Sequence, residues 1–152
     1  RTRSDLQFYI ITKRIHRFMD CLPADWGDGY PNVTIGCTIE NQQLADERLP
    51  ILHECPIQHK QLVCEPLLSD IDFGPYIEDI EGIIVGGETG NRARVCHYDW
   101  FEHIREQCLN AESKPTLWFQ QTGSKFEKEG ELVKVPRKEQ FELVHSYGLD
   151  LQ

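Results

Sequence analysis

The sequence predicts an α/β fold on a mainly parallel, five-stranded sheet. Five short runs carry the prediction: Phe8–Thr12, Val33–Ile39, Gln61–Glu65, Gly82–Gly87 and Thr116–Gln120. Each is rich in β-branched or aromatic residues and reads as continuous rather than alternating, which suits strands covered on both faces. Helical periodicities lie between the runs, and strand–helix alternation at this spacing builds βαβ units. Every run also ends in polar residues, as expected where a parallel sheet presents its loops.

After the first run, Ile15, Phe18, Met19 and Leu22 fall at i, i+3, i+4 and i+7 and predict one apolar helix face, stopped by Pro23. Trp26 and Tyr30, in the Gly/Asp-rich loop before Pro31, read as a lid or as cover for a rim. Asn41 is placed to cap a second helix, with Leu44, Leu49 and Leu52 facing inward. Pro50 should kink that helix, because it lacks an N–H and crowds the preceding turn. Between Glu65 and Gly82 there is room only for a short crossover. Asp99 and Glu102 have the spacing of a capping box, ahead of a stripe of Trp100, Ile104 and Cys108. An open doubly wound sheet and an incomplete barrel both fit this order of elements. In the tail, Phe126–Glu129, Gly130 and Leu132–Val135 predict a charged hairpin. Pro136 comes next, then a short amphipathic helix ending near Gly148. The organisation is therefore a partial (β/α) unit over 1–123 and an extension of the same domain over 124–152.

The chain has 152 residues, enough for one core. Its composition is 39% hydrophobic and 27% charged, that of an ordinary globular domain. The net charge of -9 and the scattered Lys and Arg argue against non-specific nucleic-acid binding, with one small basic group at Lys13, Arg14 and Arg17. Six cysteines invite a disulfide reading. Three of them lie in apolar or amphipathic runs, and no pair has zinc-ligand spacing, so reduced buried thiols, no metal site and a cytoplasmic location are expected. No run is long and apolar enough to span a membrane, and no membrane partner is expected. The sequence opens on Arg1 with a strand inside its first ten residues, which leads us to expect an N-terminal segment before it.

Ligands of parallel α/β folds bind outside the carboxyl ends of the strands. The candidates there are Lys13 and Arg14 after strand one, Glu40 after strand two, and Glu65 after strand three. Gly86, Gly87, Glu88, Arg92 and Arg94 come after strand four, and Gln120 ends strand five. Isolated buried charges are costly, so such a cluster pairs internally, stays wet or meets a ligand. Paired glycines permit close backbone approach, and arginines supply forks for an anion. A small anionic ligand is the expected partner. The six histidines show no metal-ligand spacing, and His97 is the one placed to reach these loops.

The motifs also resemble a known family. Ile11-Thr12-Lys13-Arg14, Gly36-Cys37-Thr38-Ile39-Glu40-Asn41-Gln42, Cys64-Glu65-Pro66-Leu67-Leu68 and Ile84-Val85-Gly86-Gly87-Glu88-Thr89-Gly90 carry the resemblance. Asp99-Trp100 and Phe119-Gln120-Gln121-Thr122-Gly123 continue it. Together they resemble the phage gene-product-37/68 family, whose members look like radical-SAM barrels. The resemblance implies an incomplete TIM-type barrel. Gly86 to Glu88 and Glu65 would hold cofactor or substrate, and Lys13, Arg14, Arg92 and Arg94 would hold anionic groups. It also implies a segment of closely spaced cysteines before Arg1. An iron–sulfur cluster and S-adenosylmethionine would then be cofactors only together with that segment, and none belongs to this chain alone. Gln120-Gln121-Thr122-Gly123 stands where the family usually has Lys-Gln-Trp-Gly, a loss of one cation and one aromatic. A non-catalytic module for a small anion or nucleotide, and an interaction protein without a ligand, are the rival readings. A truncated barrel would leave the flank of Phe8–Thr12 bare, and a homodimer through that edge is expected.

Overall fold

The structure, a computed structural model, describes residues 3–152. Its main sheet is formed by β1 (Phe8–Thr12), β2 (Val33–Thr38), β3 (His59–Cys64), β4 (Gly82–Gly86) and β6 (Thr116–Gln121). All neighbours are parallel and lie in sequence order. The expected parallel α/β sheet is thus present, and it does not close on itself.

The register divides the sheet into two faces. Cys37, Leu62, Ile83 and Leu117 lie in one row, and Cys64, Val85 and Phe119 in the next. These side chains are all buried. Helix α1 (Gln42–Glu54) covers this face with Ala45, Leu49 and Leu52, and Lys60 of the same face donates to the His53 carbonyl at 2.9 Å. Helix α2 (Tyr98–Asn110) covers it too, setting Phe101 against Phe119 with ring centroids 4.8 Å apart. Both long helices therefore lie on one side. The opposite face carries Tyr9, Ile11 and Trp118, all exposed. Cover on both faces, expected from the unbroken apolar runs, fails at the flanks: β1 is exposed along almost its whole length, and β6 alternates between buried and exposed.

Local differences have local causes. The expected helix before Pro23 is two 3-10 turns, Ile15–Arg17 and Met19–Cys21. So short a run cannot repay helix nucleation, and Met19 stays exposed. Trp26 is buried and donates to the Pro56 carbonyl at 2.7 Å, so it anchors the chain below β3 rather than forming a lid. Asn41 caps α1, its side chain accepting from the Leu44 N–H at 3.0 Å. Pro50 lies within α1 and does not end it; the carbonyl left unpaired belongs to exposed Asp46, where water can serve it. Asp99 is not a cap, because β5 (Cys96–His97) keeps the chain extended until His97. Asp99 sits in the first turn, and Phe101 replaces Trp100 in the buried stripe.

The tail forms the expected hairpin, β7 (Lys125–Lys128) with β8 (Glu131–Lys134), and the helix α3 (Gln140–Ser146). Strand β5 pairs with β7, giving a small second sheet. The outer edge of β6 is closed by Leu151, which pairs with Leu117. Among the described residues no helix is long and apolar enough to cross a membrane. All six cysteines are free, and only Cys21 is exposed.

Candidate functional site

The carboxyl ends of the five strands bring most of the expected residues to one edge of the sheet. Glu40 leaves β2 and is gripped from both sides. Lys13, one residue past β1, donates to Oε1, and Arg48 of α1 donates to Oε2 at 2.9 Å and to the Thr38 carbonyl at 2.5 Å. Burial raises the Glu40 carboxyl, but the two cations outweigh it and hold the group below the usual carboxylate range. Arg48 is not among the residues expected here. It lies nearly two turns into the helix, yet side chains on a helix lean toward its N-terminus, which begins beside Glu40.

Glu88 is held by Arg94. The guanidinium donates from Nε to Oε2 at 2.9 Å and from Nη2 to Oε1 at 2.6 Å, and the Arg94 N–H adds a third bond at 2.8 Å. These bonds pull the Glu88 carboxyl down to about 2. Arg94 also feels the charge of Glu40, so both pairs belong to one electrostatic rim.

Glu65 differs. It comes directly after Cys64 of the buried face, so alternation turns its side chain to the opposite, open face. The bond from Glu65 to Pro66 is cis. Beyond it, the Leu67 N–H donates to the Gly86 carbonyl and the Leu68 N–H to the Glu40 carbonyl, each at 2.8 Å, tying this exit to the ends of β4 and β2. Oε1 of Glu65 accepts from the Gln121 side-chain amide at 2.9 Å. No cation pairs with Glu65 among the described residues.

Gln120 is the residue expected here, but Gln121 holds the place. The register between β4 and β6 shifts at Gly86, which therefore faces Gln121. A shift of one residue exchanges the faces of a strand. Gln120 stays on the face of Trp118 and accepts from its indole at 3.0 Å, while the shift brings Gln121 to Glu65. Gln121 in turn donates to the Gly87 carbonyl and accepts from the Gly123 N–H, each at 2.5 Å.

The close approach permitted by Gly86 and Gly87 is made by the chain itself. A Cβ on Gly86 would stand 2.8 Å from Oε1 of Glu65. One on Gly87 would stand 2.7 Å from the Thr122 carbonyl carbon and 2.9 Å from Gly123 Cα. Arg14 and Arg92 are exposed and have no carboxylate partner among the described residues. His97 lies elsewhere, paired with Glu127 of the hairpin.

An iron–sulfur cluster requires converging thiolates. Burial pushes the Cys37 thiol up to about 12 and that of Cys108 up to about 11, and raises Cys64 further. No group of three His, Cys, Asp or Glu side chains among the described residues is arranged to hold a metal ion. The described residues do not fit such a cluster.

No curated protein and no solved structure matches the chain. Over residues 1–145 it matches the family model described as "Protein of unknown function (DUF5131)", and the chain belongs to that family.

Proposed function

We propose that the chain forms the substrate-side part of a radical-SAM-like barrel enzyme of the phage gene-product-37/68 type. Its ligand site would lie on the open face at the strand ends. The observation that carries this reading is Glu65, a half-buried carboxylate that faces the open side, is steadied by one amide and has no cation partner among the described residues. A carboxylate so placed has acceptor capacity left for an ammonium or a pair of hydroxyls. S-adenosylmethionine carries both kinds of group, and Glu65 with Gln121 would hold it; when bound, it would supply the radical chemistry of that class. An iron–sulfur cluster would have to be ligated by residues outside this chain. The placement of both long helices on one face supports a barrel segment over a doubly wound sheet, because barrel helices form a single outer layer. The motif series that resembles the phage family supports the assignment within it.

The test is thermal denaturation of the wild type and Glu65→Gln with and without S-adenosylmethionine. The ligand should raise the wild-type melting temperature and leave Glu65→Gln unmoved. An equal rise in both removes Glu65 from the site. A second reading, a module for a small anion, is favoured by the unpaired Arg14 and Arg92. Stabilisation by phosphate but not by S-adenosylmethionine selects it.

A further inference from the structure

Beyond Glu88, on the side of the C-terminal hairpin, a groove of about 910 Å³ opens between the loop after β4 and that hairpin. Its charged lining is Lys125, Lys134 and Arg137, with no carboxylate among the lining residues. In a chain of net charge -9 this is a local reversal of sign. Lys125 and Lys134 are cross-strand partners in the hairpin, so their like charges stand side by side on the same face. Like charges directly opposite destabilise a hairpin. The carboxylate available on that face, Glu127, is taken up by His97 and by the Gly130 N–H. Glu88 feels Lys125 but is committed to Arg94. Lys134 and Arg137 have no ion-pair partner among the described residues.

The groove is built, not merely open. The Ser124 hydroxyl accepts from the Gly90 N–H at 2.9 Å, and the Ser124 N–H donates to the Glu88 carbonyl at 2.8 Å. On the other wall the Val135 N–H donates to the Ser124 carbonyl at 3.1 Å. One residue thus fixes the loop and the hairpin to each other. The floor is apolar, from Val95, Leu132, Val135 and Pro136. The side chains of Thr89 and Asn91, at the rim, have no hydrogen-bond partner among the described residues.

We propose that this groove binds a nucleoside polyphosphate. The phosphates lie against Lys125, Lys134 and Arg137 and relieve the repulsion within the lysine pair. The base covers the apolar floor, and Thr89 and Asn91 bond its polar edge or the sugar. The volume suits a ligand of that size. The cations alone would suit any polyanion; the apolar floor beside them selects one that carries a flat apolar moiety. This site is independent of the reading of Glu65.

The experiment is isothermal titration of the whole chain with ATP, inorganic pyrophosphate and a short single-stranded oligonucleotide, together with melting curves. ATP should bind, and about tenfold more tightly than pyrophosphate. Lys134→Gln and Arg137→Gln should each weaken ATP about tenfold, as loss of a charge-assisted bond to phosphate does. Without ligand, Lys134→Gln should raise the melting temperature, because it removes the cross-strand repulsion. A purely structural role for Lys134 cannot give both a gain in stability and a loss of binding. Absence of ATP binding, or unchanged ATP affinity in both variants, overturns the proposal. Pyrophosphate binding as tightly as ATP, or the oligonucleotide binding more tightly, overturns the assignment to a free nucleotide.

Discussion

Glu40 and Glu65 stand one strand apart at the same edge of the sheet, and the chain treats them in opposite ways. The Glu40 side chain is 12% exposed and held by a lysine and an arginine. The Glu65 side chain has one amide and, among the described residues, no cation. The cause lies in the element that each strand leads into. Helix α1 starts at once after Glu40 and leans Arg48 back toward it, whereas the chain after Glu65 runs on without a helix until the 3-10 segment Gly74–Asp79. A carboxylate with cations on both oxygens is a structural joint. One with an open oxygen has capacity to spare, and that contrast separates framework from candidate site along this edge.

The largest expected effect tests whether the glycine loop belongs with the framework. In Gly87→Ala the new methyl meets the Thr122–Gly123 backbone, which cannot swing aside as a side chain can. We expect a loss of about 3 kcal/mol or more in urea unfolding, typical of severe overpacking. A loss below about 1 kcal/mol would mean that the loop yields, and it would then be available to a ligand after all.

Next comes Arg48→Met. It strands a largely buried carboxylate that keeps only Lys13, and breaking such pairs costs about 3–5 kcal/mol when nothing remains. With Lys13 still in place we expect about 2 kcal/mol. Lys13→Met should cost less than about 1 kcal/mol, because that side chain is 55% exposed. Equal losses in the two variants would erase the distinction drawn at Glu40.

The framework is the more legible part of the sequence. The five strands, their order and the Asn41 cap come from apolar runs and one capping residue. The site is legible only as a set of strand ends. Arg48 is hidden because it sits deep in a helix, where a loop-by-loop reading does not look. Gln121 is hidden because one register shift at Gly86 brings it to Glu65, and nothing local in the sequence announces that shift. The two-residue strand β5 escapes notice since its pairing partner lies thirty residues away in the hairpin. Glycine pairs say that something comes close; they do not say whether it is a ligand or, as here, the chain's own backbone.

Acid should expose the framework carboxylates before any ligand is known. Glu88 sits near 2, far below its ordinary 4.5, and Glu40 is also depressed. A depressed carboxylate adds stability that is complete above the unfolded value and is lost as pH falls through the folded one. Denaturation midpoints should therefore fall between pH 4.5 and about 2. Arg94→Met should flatten part of that decline. Its effect at neutral pH should be smaller than that of Arg48→Met, because Arg94 is 60% exposed and its pair is screened by solvent. A titration of unchanged steepness in Arg94→Met would show that Glu88 draws nothing from it.

The smallest effect is the most informative. In Glu65→Gln the new amide keeps the shape and leaves no cation behind. The Gln121 side chain keeps an oxygen to donate to, since the substituted amide still offers one acceptor. Its remaining bonds, to the Gly87 carbonyl and from the Gly123 N–H, do not involve Glu65 at all. We therefore expect a stability change within about 0.5 kcal/mol, of the size seen for substitutions that break no network. Glu40→Gln, made beside it, should cost more, because one neutral amide oxygen cannot serve both Lys13 and Arg48 and the charge that both cations pair with is gone. A loss of about 3 kcal/mol or more in Glu65→Gln would make Glu65 a joint like Glu40 and take from it the open oxygen on which the ligand site rests. A neutral result leaves a half-buried charge on the open face that the fold does not need, and at the carboxyl end of a central parallel strand that is where a ligand-binding group belongs.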